Sequence, residues 1–78
     1  MSKNYKPTVA IDFDGVIHSY TSGWQGVGEC SDPMVPGIDT AIADLRTDHK
    51  VIVVSSRAAT PEGRIAIRDY LKKYNIEV

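Results

Sequence analysis

Cysteine is almost missing: Cys30 is the only one in 78 residues. A lone thiol excludes an internal disulfide and a thiolate zinc cluster, and the usage is cytosolic in type. Long apolar runs are also missing, and none approaches the ~20 residues that cross a bilayer. The basic start, Met1 to Pro7, is not followed by a signal-type apolar segment long enough to export the chain. No sign of charge dominates, since nine Lys and Arg against ten Asp and Glu leave a formal net charge of -1. That balance gives no general attraction to nucleic acid or to an anionic membrane. These absences point to a small cytoplasmic protein with neither nucleic acid nor membrane as partner. Hydrophobic residues nevertheless make up 42% of the chain, which suits one folded domain over residues 1–78 and not a disordered segment. A chain of this length buries only roughly 60 to 65% of the surface its unfolded form exposes.

Thr8 to Phe13 is a short, mostly apolar run after Pro7 and predicts a buried strand over 8–13. Its character changes at Asp12, Asp14 and Gly15. From there to Pro36 the chain is rich in Gly, Ser and Asp, a length that is more often functional than passive. Ile17, Tyr20, Trp24 and Val27 give this segment apolar surface with which to pack, as a small hairpin. Ile38, Ala41, Ile42 and Leu45 follow the i, i+3, i+4, i+7 spacing of one helix stripe, predicting a helix over 37–47 with Asp39 in its first turn. Val51 to Val54 is an apolar, β-branched run, so a strand over 50–54 covered by helices on both faces is expected. Thr60 and Pro61 then mark a helix start, with Gly63, Ile67, Tyr70, Leu71 and Tyr74 as its buried stripe over 61–74. Arg64, Arg68 and Lys72 form a solvated row, and Asn75 closes the helix. Ile76 to Val78 resembles the start of a third strand.

Strands alternating with amphipathic helices argue an α/β fold with a parallel sheet. Ligands of such sheets bind beyond the carboxyl ends of the strands. Those ends carry Asp12 to Gly15 and Ser55 to Arg57, the two most polar junctions of the chain. In extended backbone Asp12 and Asp14 face one side while Phe13 anchors the other. Two carboxylates so close repel unless a cation or a proton intervenes, and Mg²⁺ is the natural hard cation for oxygen ligands. With a phosphate ester bound, one carboxylate suits attack on phosphorus and the other suits proton transfer. Gly15 permits a sharp turn. Ser55 can donate its hydroxyl to a phosphoryl oxygen, Ser56 can do so or cap the turn, and Arg57 can bind an anion or pair with an aspartate of the same edge.

The run Asp12-Phe13-Asp14-Gly15-Val16 after an apolar strand resembles the first motif of the haloacid dehalogenase-like (HAD) superfamily. Val51 to Val54 followed by Ser55 is similar to that family's second motif. The resemblance implies a partial Rossmann-like core and a Mg²⁺-dependent phosphohydrolase working through an aspartyl-phosphate. It makes Asp12 the nucleophile, Asp14 the general acid/base whose carbonyl also binds metal, and Ser55 the holder of the phosphoryl group. Gly15, Ser56 and Arg57 are the accompanying substrate-binding candidates. Val16 to Gly28 is similar to the family's squiggle and flap, with Trp24 in or near the flap. The family's later lysine and its acidic pair have no counterpart here, so the resemblance covers the N-terminal half of such a core. Turnover by one chain is therefore left open, and an uncovered edge on the first strand argues a homo-oligomer or a complementing chain. The alternatives are a non-catalytic binding or regulatory protein and an N-terminal fragment of a longer hydrolase. The expected ligand is a phosphorylated small molecule, with nucleotides among the candidates. His18 reads as a surface or hairpin residue and His49 as inert. Trp24 reads as a flap anchor, with stacking on a base or sugar as its alternative.

Overall fold

In the computed structural model, which describes residues 5–78, Thr8–Asp12 forms the first strand, β1. Met1 to Asn4, the first part of the basic start, lie outside the described residues. A loop with turns runs from Phe13 to Gly37 and enters helix α1, Ile38–Leu45. Strand β2, Lys50–Val54, follows, then a short 3₁₀ turn, Ser56–Ala59, and helix α2, Pro61–Lys73. The two strands pair in parallel, with Thr8 opposite Lys50 and Asp12 opposite Val54. The result is a small α/β fold: a two-stranded parallel sheet with two helices.

Local chemistry explains the boundaries. The Thr60 hydroxyl accepts the Gly63 amide at 3.1 Å and Pro61 occupies the first turn, so α2 starts where an amide needs a partner and proline lacks one. At the other end Asn75 adopts a left-handed φ of 57°, which lets the Ile76 amide reach the Leu71 carbonyl at 2.8 Å. The Asn75 amide meets the Lys72 carbonyl at 3.1 Å, and Ile76 packs into the core beside Leu71, completing a Schellman closure. This closure replaces the third strand expected at Ile76. The Ile76 amide is spent on the helix end, and residues 76–78 belong to no regular element. Helix α1 has no side-chain cap, since Gly37 precedes it in a left-handed conformation, but Asp39 sits in its first turn.

The core gathers Phe13 and Ile17 from the loop, Ile42 from α1, Val51 from β2, Ile67, Tyr70 and Leu71 from α2, and Ile76. Ile11 and Val53 pack against it from the same sheet face. Both helices therefore bury their stripes on the Val51 face. The expectation of a strand covered on both faces is corrected: Ile52 and Val54 remain 40% and 43% exposed. A continuous β-branched run shows that a strand is apolar on both sides, not that both sides are covered. Among the described residues each strand pairs only with the other, leaving both outer edges open. No described helix is long and apolar enough to cross a membrane. The hairpin expected within Val16 to Gly28 is also replaced, by turns held through isolated bridges of His18 to Asp14 and to Met34.

Gly63 marks the closest approach between α2 and the 3₁₀ turn. A Cβ built there would lie 1.8 Å from the Arg57 carbonyl oxygen, a backbone atom that cannot swing away. Overpacking costs about 1–3 kcal/mol and more where backbone must move, against roughly 1 kcal/mol that alanine gains in helix propensity. Gly63→Ala is thus expected to lower stability by about 2 kcal/mol in urea denaturation. A variant as stable as the parent would show that α2 can shift without penalty.

Candidate active site

The polar ends of β1 and β2 meet. Asp12 is the last residue of β1, opposite Val54, and Ser55 comes next along β2. Asp12 is exposed, and its carboxylate accepts only the neighbouring Phe13 amide, at 3.0 Å, among the described residues. Phe13 turns the opposite way and is fully buried, as the alternation of extended backbone requires. Gly15 follows with φ of 87° and open space where a Cβ would be, so conformation and not room selects glycine there. Its amide donates to the His18 carbonyl at 2.7 Å, which turns the loop back on itself. The Ser55 oxygen accepts the Arg57 amide at 3.1 Å, capping the 3₁₀ turn. Its hydroxyl proton has no acceptor among the described residues and is available to a ligand. Ser56 is exposed at the start of that turn.

Arg57 is the most constrained side chain of the site. It is fully buried, with Nε 2.9 Å from Asp14 Oδ2 and Nη2 3.1 Å from Asp14 Oδ1. Nη1 donates to the carbonyls of Gly26 at 2.7 Å and Val27 at 3.0 Å. The guanidinium carbon lies 4.7 Å from the centre of the Trp24 ring. A guanidinium has five N–H donors, and these four bonds leave only one for anything else. This geometry matches the pairing of Arg57 with an aspartate of its own edge, and it leaves little capacity for a substrate phosphate.

His18 was expected at the surface but is 1% exposed. Its ring lies between Phe13, stacked at 5.6 Å, and Tyr70, edge-on at 5.3 Å. Nε2 accepts the Asp32 amide at 3.2 Å, which assigns the proton to Nδ1, 2.8 Å from Asp14 Oδ1. Asp32 is itself buried, held by the Ser22 amide at 2.8 Å and hydroxyl at 2.6 Å, and the Tyr70 hydroxyl donates to its carbonyl at 2.8 Å. Asp14, Asp32, Ser22 and Tyr70 thus form a polar network through His18 that the sequence did not disclose. The available signal was Ile17: a turn that buries it also carries its neighbour inward, four residues after Asp14. His49 only pairs with Asp48, at 2.6 Å.

Burial pushes the Asp14 carboxyl up, but the hydrogen bonds from Arg57 and His18 and the charge of Arg57 outweigh it and hold it below the usual carboxylate range. The Ser22 hydroxyl and amide lower Asp32 in the same direction. Both groups bind protons more readily unfolded, so stability rises with pH across their titration. Their contribution is expected to be complete above the unfolded value of 3.8 and to be lost as pH falls below it. Denaturation midpoints between pH 3 and 6 check this, and a stability unchanged down to pH 3 would contradict it.

The paired carboxylates do not both face a ligand. The charge on Asp14 is met by Arg57 and His18, while Asp12 carries the only uncommitted carboxylate of the pair. Among the described residues no group of three or more His, Cys, Asp and Glu side chains is placed to hold a metal ion. The oxygens left are the Asp12 carboxylate and the Asp14 main-chain carbonyl, which accepts no hydrogen bond among the described residues. Mg²⁺ commonly takes one or two carboxylates and completes its shell with water and phosphate oxygens, so a site here would rest on these two oxygens and on the substrate. A groove of about 860 Å³ lies elsewhere, along Val51 to Val53 and α2, rimmed by Lys50, Arg64 and Arg68. Comparison with family models, with curated proteins and with solved structures gave no match to this chain.

Proposed function

We propose that the chain is a phosphohydrolase-type protein of the HAD kind, with a partial Rossmann-like core, acting on a phosphate monoester through Asp12. The observation that supports this most is an exposed carboxylate at the end of β1 with no ion-pair partner among the described residues, while Ser55, whose hydroxyl proton has no acceptor among them, follows Val54, the residue opposite Asp12. Asp12 attacks phosphorus, the P–O bond to the leaving group breaks, and an aspartyl-phosphate forms. Ser55 donates to a phosphoryl oxygen during the transfer. Water then attacks phosphorus, the P–O bond to Asp12 breaks and inorganic phosphate leaves, with the water proton passing to solvent, since both Asp14 carboxylate oxygens are already engaged by Arg57 and His18. Asp14 is less suited to protonating the leaving oxygen in the first step, so an aryl phosphate, whose leaving group needs little protonation, is the appropriate probe. Mg²⁺, when bound by the Asp12 carboxylate and the Asp14 carbonyl, supplies charge that offsets the repulsion between Asp12 and the phosphate. Gly15 and Ser56 frame the ligand site. Arg57 acts by positioning Asp14 and the loop, a role that replaces phosphate binding in this reading.

A second reading is favoured by one observation, the commitment of Arg57 to Asp14 and to the Gly26 and Val27 carbonyls. A half-fold that kept this pair for structure could serve as a binding or regulatory protein, using the open sheet edges to join a second copy or a complementing chain. Assembly that persists without Mg²⁺ and is unchanged by Asp12→Asn, read by sedimentation, would support it. Mg²⁺-dependent phosphate release that Asp12→Asn abolishes would exclude it.

A further inference from the structure

We propose that Trp24 is the stacking surface for the planar base of a nucleotide, so that the site selects nucleoside phosphates over sugar phosphates, an inference that rests on the phosphohydrolase reading above. An indole that merely anchored its loop would bury its ring in the core. Trp24 does not: it is 56% exposed and belongs neither to the core cluster nor to the residues packed against it. It is also not loose. One part of its ring system is covered by the Arg57 guanidinium at 4.7 Å, and that group is fixed by Asp14 and by the carbonyls of Gly26 and Val27, just beyond Trp24 in the same loop. A tryptophan held in place by a buried cation, with more than half its surface in water, is preorganised for a flat partner.

Its position fits the same ligand. The guanidinium under the indole is the one that grips Asp14, two residues from Asp12 in sequence, so one rigid group links the ring to the loop that follows β1. A molecule that engages both carries a phosphate for Asp12 and Ser55 at one end and a planar group for the indole at the other. A nucleoside monophosphate has that form, with the sugar as spacer. A sugar phosphate offers the anion without the ring. Stacking of a base on an aromatic side chain changes affinity by roughly 5- to 150-fold.

Trp24 is the only tryptophan in the chain, so its fluorescence reports contact at this ring directly. The test is a titration with adenosine monophosphate, ribose 5-phosphate and adenosine, followed by fluorescence and calorimetry. Adenosine monophosphate is expected to quench saturably and to bind about tenfold or more tighter than ribose 5-phosphate. In Trp24→Ala that advantage should vanish while ribose 5-phosphate binding stays as it was, and Trp24→Phe should restore part of it. Equal affinity of the two phosphates in the parent overturns the stacking role and leaves the phosphate site standing. Equal weakening of both by Trp24→Ala also overturns it, because the ring would then act only through the loop. Adenosine binding as tightly as its monophosphate keeps the stacking surface but removes the phosphohydrolase reading. Binding by none of the three overturns both.

Discussion

Arg57→Met is expected to unfold the chain or bring it close to unfolding. The substitution keeps an unbranched, flexible apolar stem, two atoms shorter, and removes the charge and the donors. Asp14, 20% exposed, would keep only His18, and the carbonyls of Gly26 and Val27 would lose their donor. Breaking one partner out of a buried ion pair costs about 3–5 kcal/mol. A chain of this size has a total stability of roughly 4–12 kcal/mol at the usual yield per residue, so one substitution removes much of it. Arg57→Lys should recover little, because an ammonium cannot fork onto a carboxylate and reach two carbonyls together. Combining Arg57→Met with Asp14→Asn should recover part of the loss, since no buried charge is then left unpaired. Urea denaturation of the three variants checks this. An Arg57→Met midpoint within about 1 kcal/mol of the parent would place the pair with exposed ion pairs of small effect.

The clamp also explains what the loop is for. Phe13 to Gly37 forms no helix or strand, and its own turn and bridge hydrogen bonds are supplemented from other elements. Arg57 supplies donors from the 3₁₀ turn, Tyr70 supplies one from α2, and Phe13 and Ile17 supply the apolar contact. The loop is positioned by long-range polar contacts on a small core, which makes Arg57 a larger determinant of this fold than any single apolar side chain of α1.

The elements that could be read from the sequence are those whose signals are local. Thr60, Pro61 and Asn75 mark the ends of α2 because capping and left-handed conformation belong to residue type, and the observed closure uses them. The stripe of Gly63, Ile67, Tyr70 and Leu71 was legible because helical spacing repeats. The parallel pairing, which sets the ends of β1 and β2 side by side, followed from alternation of strands and helices. What was not legible depended on contacts far apart in sequence. Nothing near His18 shows that Asp32, fourteen positions on, will present its amide to the ring. Nothing in Val51 to Val54 shows which face stays open. The choice at Arg57 between ligand and Asp14 was left to geometry, because a guanidinium at a strand end serves either with the same residue type.

Asp12→Asn is expected to abolish turnover while leaving the fold intact. Asp12 is exposed and makes no contact beyond its neighbour's amide among the described residues, so an isosteric amide should change stability by no more than about 0.5 kcal/mol. An amide oxygen is a far poorer nucleophile toward phosphorus than a carboxylate, and loss of the attacking group in hydrolases costs at least roughly 10³-fold in turnover. Ser55→Ala should be milder, roughly 10²- to 10³-fold, since it removes one donor to the phosphoryl oxygens.

The most direct measurement is Mg²⁺-dependent phosphate release from an aryl phosphate by the mass-verified chain of Met1 to Val78, beside identically purified Asp12→Asn. Release by the parent that disappears in the variant, with matching circular dichroism spectra, is the expected result. It would mean that one exposed carboxylate and one hydroxyl at the sheet end suffice for a working site. Release equal in the two proteins, or none above the variant in the parent, would contradict the assignment of Asp12 as nucleophile.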